Sequence, residues 1–154
     1  MLKRLVGLLA VFGLAAMVAS TPARSQNAAA PVEWLMALQG DVVEFRPGVM
    51  ILAVAPKVIV FSDRPERIVK MIDLRGFTSM AWGEGGPLRT DPPNASIITD
   101  SGRIAIVEIT DAIYDNNQLY LTMTLLDGGV PNVGDHVGIT IDAFPTAVNA
   151  QITD

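Results

Sequence analysis

From Val42 onward the chain is cut into short apolar runs, each closed by turn-forming residues, and that punctuation constrains the fold more than any other feature. Three consecutive runs, Val42–Phe45, Val49–Val54 and Val58–Phe61, last four to six residues and give way to Pro47-Gly48, Pro56 and Ser62-Asp63. They are rich in Val and Ile, the composition and length of strands rather than helices. Ala95–Thr99 and Arg103–Thr110 flank Asp100-Ser101-Gly102, a three-residue hairpin loop with glycine where positive φ is usual. In the second of these strands Ile104, Ile106, Glu108 and Thr110 point one way and Ala105, Val107 and Ile109 the other. Apolar residues on both faces point to an inner strand. Asp111–Asn117 reads as a polar turn, and Leu119, Leu121, Met123 and Leu125 alternate with Tyr120, Thr122 and Thr124 as a half-buried strand. After Asp127-Gly128-Gly129 and a loop from Val130 to Asp135, Val137–Ile141 forms a last strand.

One segment departs from this rhythm. Asp73 is placed to cap a short helix that carries Leu74, Phe77 and Ala81 on one face, and Gly83 stops it after Trp82. Regularly spaced strands with a single helix predict an all-β fold, an antiparallel β-sandwich of about seven or eight strands. Residues 34–154 are expected to form one such domain, with no repeat and no second domain.

The first 25 residues stand apart. Lys3 and Arg4 precede an uncharged apolar stretch, Leu5 to Ala19, and Ala23-Arg24-Ser25 supplies small residues at the positions a signal peptidase reads. The apolar stretch is shorter than the ~20 residues of a spanning helix. Residues 1–25 are therefore expected to be a cleavable signal peptide, and 26–33 a loose leader. The protein is expected to be periplasmic or extracellular, with no membrane insertion after cleavage. Removal of Lys3, Arg4 and Arg24 lowers the positive count from 11 to 8 against 16 acids, a formal charge of −8. Nucleic acid and anionic lipid demand a basic footprint that such a chain lacks. There is no cysteine, so disulfides, a thiol nucleophile, a lipoprotein anchor and a type 1 copper centre are all excluded.

Charge is concentrated in one region. Arg64, Arg67, Lys70 and Arg75 are half of the positive residues left after cleavage, and Asp63, Glu66 and Asp73 are interleaved with them. Pro65 holds Arg64 extended, so Ser62-Asp63-Arg64 leads from a strand into a rigid corner. Asp91-Pro92-Pro93-Asn94-Ala95 makes a second rigid, polar corner. The segment Phe61-Ser62-Asp63-Arg64-Pro65-Glu66-Arg67, then Trp82, then Asp91-Pro92-Pro93-Asn94-Ala95, resembles the pattern of a family of uncharacterised exported bacterial β-rich proteins. Val107-Glu108 and the Leu125–Pro131 stretch are similar too, so the likeness covers residues 49 to 142. It implies an exported β-rich domain and no particular activity. Members have a more acidic stretch where this chain has Gly83-Glu84-Gly85-Gly86-Pro87-Leu88.

These corners have a structural reading, in which Asp and Arg tie loops to the sheet. They also have a binding reading. In the second, Asp63 organises the turn, Arg64 and Arg67 recognise an acidic group, Trp82 forms a flat apolar wall, and Asp91 and Asn94 complete the surface. The expected ligand is a small molecule or a protein, with no cofactor and no metal. His136 is the single histidine and no serine sits in a G-x-S-x-G elbow, so it reads as a lone surface or loop histidine; a small hydrolase using carboxylates or His136 is the alternative, motivated by export and the available acids. A calcium-stabilised module is a further alternative, since Asp111, Asp115, Asn116 and Asn117 supply oxygen atoms without the spacing of an EF-hand.

Overall fold

The computed structural model describes residues 33–62 and 67–142. The expected signal peptide, the leader up to Val32, and the corner residues Asp63 and Arg64 lie outside them. The described chain is mainly antiparallel β, with eight strands: β1 (Trp34–Arg46), β2 (Val49–Val54), β3 (Lys57–Ser62), β4 (Val69–Asp73), β5 (Asn94–Thr99), β6 (Ile104–Asp115), β7 (Gln118–Gly128) and β8 (His136–Ile141). Two helices, α1 (Leu74–Trp82) and α2 (Pro87–Thr90), lie between β4 and β5.

The expected sandwich is corrected to a barrel. The strands follow the order β2-β7-β6-β5-β8-β1-β3-β4, and β2 also pairs with β1, which closes six of them into a ring. Strand alternation establishes one buried face per strand. It does not say whether that face meets a second sheet or the far wall of its own sheet. Here β1 decides the matter. One edge pairs Met36–Asp41 with β8, while the other pairs Trp34–Ala37 with β3 and Gly40–Arg46 with β2. β2 and β3 thus follow one another along the same edge of β1, parted at Ala55-Pro56. Beyond the break β2 turns to β7 and β3 to β4.

Alternation fills the interior. Trp34, Met36, Leu38 and Val42 of β1 meet Ala95 and Ile97 of β5, Val107 and Ile109 of β6, Leu119 and Leu121 of β7, and Val137 and Ile139 of β8, all buried. In β6 the register shifts between Ile109 and Asp111, so the inward series passes from Ala105, Val107 and Ile109 to Ala112 and Tyr114. Ile104, apolar but on the outer face, is half exposed. The expected polar turn over Asp111–Asn117 shrinks to Asn116-Asn117, whose φ values of 49° and 59° suit a two-residue hairpin turn. Leu125, expected inside, is exposed, as is all of β7 from Thr124 onward.

The helix over Leu74–Trp82 forms where the pattern predicts it. The Asp73 carboxylate accepts from Gly76 N at 2.7 Å, and Leu74, Phe77, Ala81 and Trp82 are buried. The Phe77 and Trp82 rings meet edge to face at 5.9 Å. Gly83 ends the helix through close approach rather than positive φ, because a Cβ there would sit 2.0 Å from Ser79 O.

Gly40 sits where the ring closes, opposite Val54 of β2 and Val137 of β8. A Cβ at this position would lie 2.5 Å from Val54 Cγ1 and 2.6 Å from the Ala53 carbonyl oxygen. Gly40→Ala is expected to lower stability by about 1–3 kcal/mol through overpacking, read from the denaturant midpoint of the purified protein.

Candidate functional site

The outward residues of β1, β3, β5 and β8 frame a hollow on the described surface. Cross-strand register sets two rows. Ile59, Ala37, Thr140 and Ser96 follow one another across β3, β1, β8 and β5, and Gln39, Gly138 and Ile98 lie in the next row across β1, β8 and β5. Ala37 and Gly138 are small, so the floor is low, while Ile59 and Ile98, both 47% exposed, stand up beside it. The resulting trough has a volume of about 670 Å³, with Lys57 and His136 among its polar lining groups. A side chain at Gly138 would project into open space, with no atom within 4 Å of its Cβ.

His136 begins β8 directly across from Asp41 of β1. Its Nδ1 lies 2.7 Å from Asp41 Oδ1. The hydrogen bond to Asp41 raises the imidazole pKa above its ordinary value, against an opposing cost of desolvation and with lesser electrostatic support from Asp41 and Asp100. The expected lone histidine is therefore one half of a cross-strand pair at the margin of the trough. A carboxylate behind an imidazole orients a general base.

A second groove, of about 540 Å³, runs between α1 and β6. Arg75 spans it, donating from Nη2 to Asp115 Oδ1 at 2.9 Å with its guanidinium 5.8 Å from the Tyr114 ring centre. Both partners are more than half solvent-exposed or nearly so, and an ion pair of that kind contributes little.

The residues singled out from the sequence fare differently. Trp82 is 2% exposed and donates from Nε1 to Ile109 O at 3.3 Å, packed in the core beneath the groove between α1 and β6. Arg67 is exposed just ahead of β4, with φ of 51°. Asp91 is exposed after α2, its N–H donating to Pro87 O at 3.2 Å. Asn94 opens β5, and its carbonyl accepts from Asp142 N at 2.9 Å. No hydrogen bond or ion pair among the described residues joins Arg67, Trp82, Asp91 and Asn94 to one another. Of the oxygen ligands considered for calcium, Asp111 and Asp115 lie along β6 and Asn116-Asn117 form the hairpin turn that follows it. Asp111 accepts from Ala112 N, Asp115 is engaged by Arg75 and Asn116, and the two aspartates stand roughly 13 Å apart at strand rise. Among the described residues no three His, Asp or Glu side chains group closely enough to hold a metal ion.

The trough escaped the sequence reading, although a trace of it was visible. Ile59 and Phe61 alternate with Val58 and Val60, and Ile98 follows Ile97, so apolar residues occupy both faces of β3 and β5. Comparison with family models, curated proteins and solved structures gives no match to this chain. No helix among the described residues is long and apolar enough to cross a membrane.

A raised folded-state pKa means the protonated His136 is favoured by folding. That contribution is present below the ordinary imidazole value of about 6.5 and is lost as pH rises through the folded value. An NMR titration is expected to place the His136 midpoint above the ordinary value. Asp41→Asn returns it downward and flattens the dependence of melting temperature on pH across that window.

Proposed function

We propose that this chain is an exported, non-enzymatic binding module that holds a largely apolar ligand in the trough between β3, β1, β8 and β5. The carrying observation is the low floor at Ala37 and Gly138 beneath Ile59 and Ile98, on a face that a barrel of this kind has no packing reason to hollow. At about 670 Å³ the trough is within the size range of small-molecule sites, roughly 300–1,000 Å³. Its polar groups sit among apolar neighbours, and Lys57 and His136 favour a ligand with an anionic end. The leader with Lys3, Arg4 and Ala23-Arg24-Ser25 supports export. The Phe61–Arg67 and Asp91–Ala95 segments support a kinship with the exported β-rich proteins they resemble.

Gly138→Leu separates binding from stability, because the new side chain enters open space. Using the anionic apolar dye anilinonaphthalene sulfonate as probe, the wild type is expected to bind with chemical-shift changes at Ala37, Ile98 and Gly138. The variant keeps its melting temperature and loses affinity by about tenfold or more as the trough fills. Dye binding unaffected by the substitution counts against the trough as the site.

A second reading is favoured by the Asp41–His136 pair, which is arranged as the orienting acid and base of a small hydrolase. It predicts turnover of some ester, glycoside or phosphate substrate that His136→Ala abolishes. A panel with no turnover removes it.

A further inference from the structure

We propose that the outer edge of β4 docks an extended polypeptide segment in which apolar residues alternate with Asp or Glu. The proposal rests on the reading of the chain as a binding module, but it uses a sheet edge rather than the trough.

Among the described residues β4 has a neighbour on one side only, β3. Ser62 N donates to Ile68 O at 2.9 Å and Leu74 N to Pro56 O at 2.8 Å, bracketing the β3–β4 ladder. Hydrogen-bonded and non-bonded pairs alternate in an antiparallel ladder. Continued inward from the two brackets, that alternation assigns the main-chain groups of Lys70 and Ile72 to β3. Those of Val69, Met71 and Asp73 face away from it. The side chains of Val69 and Met71 are 69% and 66% exposed, more than any other large apolar residue among those described. Natural edges are blunted by proline, bulges or outward lysines. β4 has neither proline nor a register shift, and Lys70 is half-buried on the opposite face from Val69 and Met71.

Charge defines the guest. The chain carries a formal charge of −5, yet Lys57, Arg67 and Lys70 lie along this ribbon. The described acid of the ribbon, Asp73, stands opposite Lys57 on the Val69–Met71 face and accepts from Gly76 N, so Lys70 is the charged side chain of the other face. A guest strand with acids on the Lys70 side and apolar residues on the other would oppose charge to charge. It would also extend the exposed rows Ile59–Met71 and Phe61–Val69. A second copy of this chain fits less well, because an antiparallel β4–β4 pair offers Lys70 only Ile68, Lys70 or Ile72 of the other copy and no acid. Strand addition of this kind takes affinity from main-chain bonds and specificity from alternate side chains.

The probes are a fluorescein-labelled peptide of alternating Val and Glu, and its Val-Lys counterpart, titrated against the purified protein. The Val-Glu peptide is expected to bind about tenfold more tightly, with the difference shrinking in high salt. The Val69 and Met71 amides exchange quickly in the free protein and become protected with peptide. Met71→Pro removes an N–H that faces away from β3, so it leaves the melting temperature nearly unchanged and abolishes peptide binding. Lys70→Glu inverts the preference between the peptides. Equal affinity for both peptides, no binding of either, or binding indifferent to Met71→Pro overturns the proposal. Protection of Val69 and Met71 in the free protein also overturns it, since another part of the chain or a second copy would then hold the edge. Gly138→Leu leaves peptide binding intact, so failure at the trough and failure at the edge are read separately.

Discussion

The structure depends on one strand being hydrogen-bonded along both edges. β1 carries β8 on one side and, on the other, β3 and then β2, so the sheet can both close on itself and send out a branch. A strand that served only the ring would leave β3 and β4 without an anchor, and one that served only the branch would leave the sheet open. The double duty requires length and a place where backbones come close. β1 supplies 13 residues and the side-chain-free Gly40. The same strand links interior and exterior. Met36 and Leu38 are held in the core, so Ala37 between them and Gln39 after them are fixed at the floor of the trough.

Much of the local structure was legible because local physics determines it. The Val- and Ile-rich runs of β2, β3, β5 and β8 and the Asp100-Ser101-Gly102 turn follow from period and turn chemistry. So does the Asp73 cap with its Leu74, Phe77 and Ala81 face. The barrel was not legible, since closure depends on a pairing of β1 with β2 and β8 that no single strand encodes. The first half of β1 was hidden for a different reason. Trp34–Leu38 is a continuous apolar run without alternation, and Gly40-Asp41 has the composition of a turn. β4 was hidden because charged residues around Ile68–Ile72 drew attention to side-chain chemistry rather than backbone. The polar end of β6 was misread because the outer face of a barrel tolerates Asp111 and Asp115 and a bulge shifts the inward series. α2 has four residues, too few for a helical period to show.

The candidate site was less legible than the fold. A tryptophan between charged segments invites a ligand-stacking role, but Trp82 follows the apolar face of α1 and is buried by it. His136 is separated by 95 residues from Asp41, and only register brings them together. Exposed apolar residues such as Ile59, Ile98, Val69 and Met71 carry no signal of exposure in the sequence. They differ from their buried neighbours only in which way the pleat turns them.

The pairing of β1 with β8 has a kinetic side. These two strands are adjacent in the ring yet stand first and last among the described strands, so the ring cannot shut until nearly all of the domain has emerged. Contacts of such wide sequence separation make folding slow relative to chains built from neighbouring pieces. Until β8 pairs, β1 and β5 each present an open edge along the residues that it will cover.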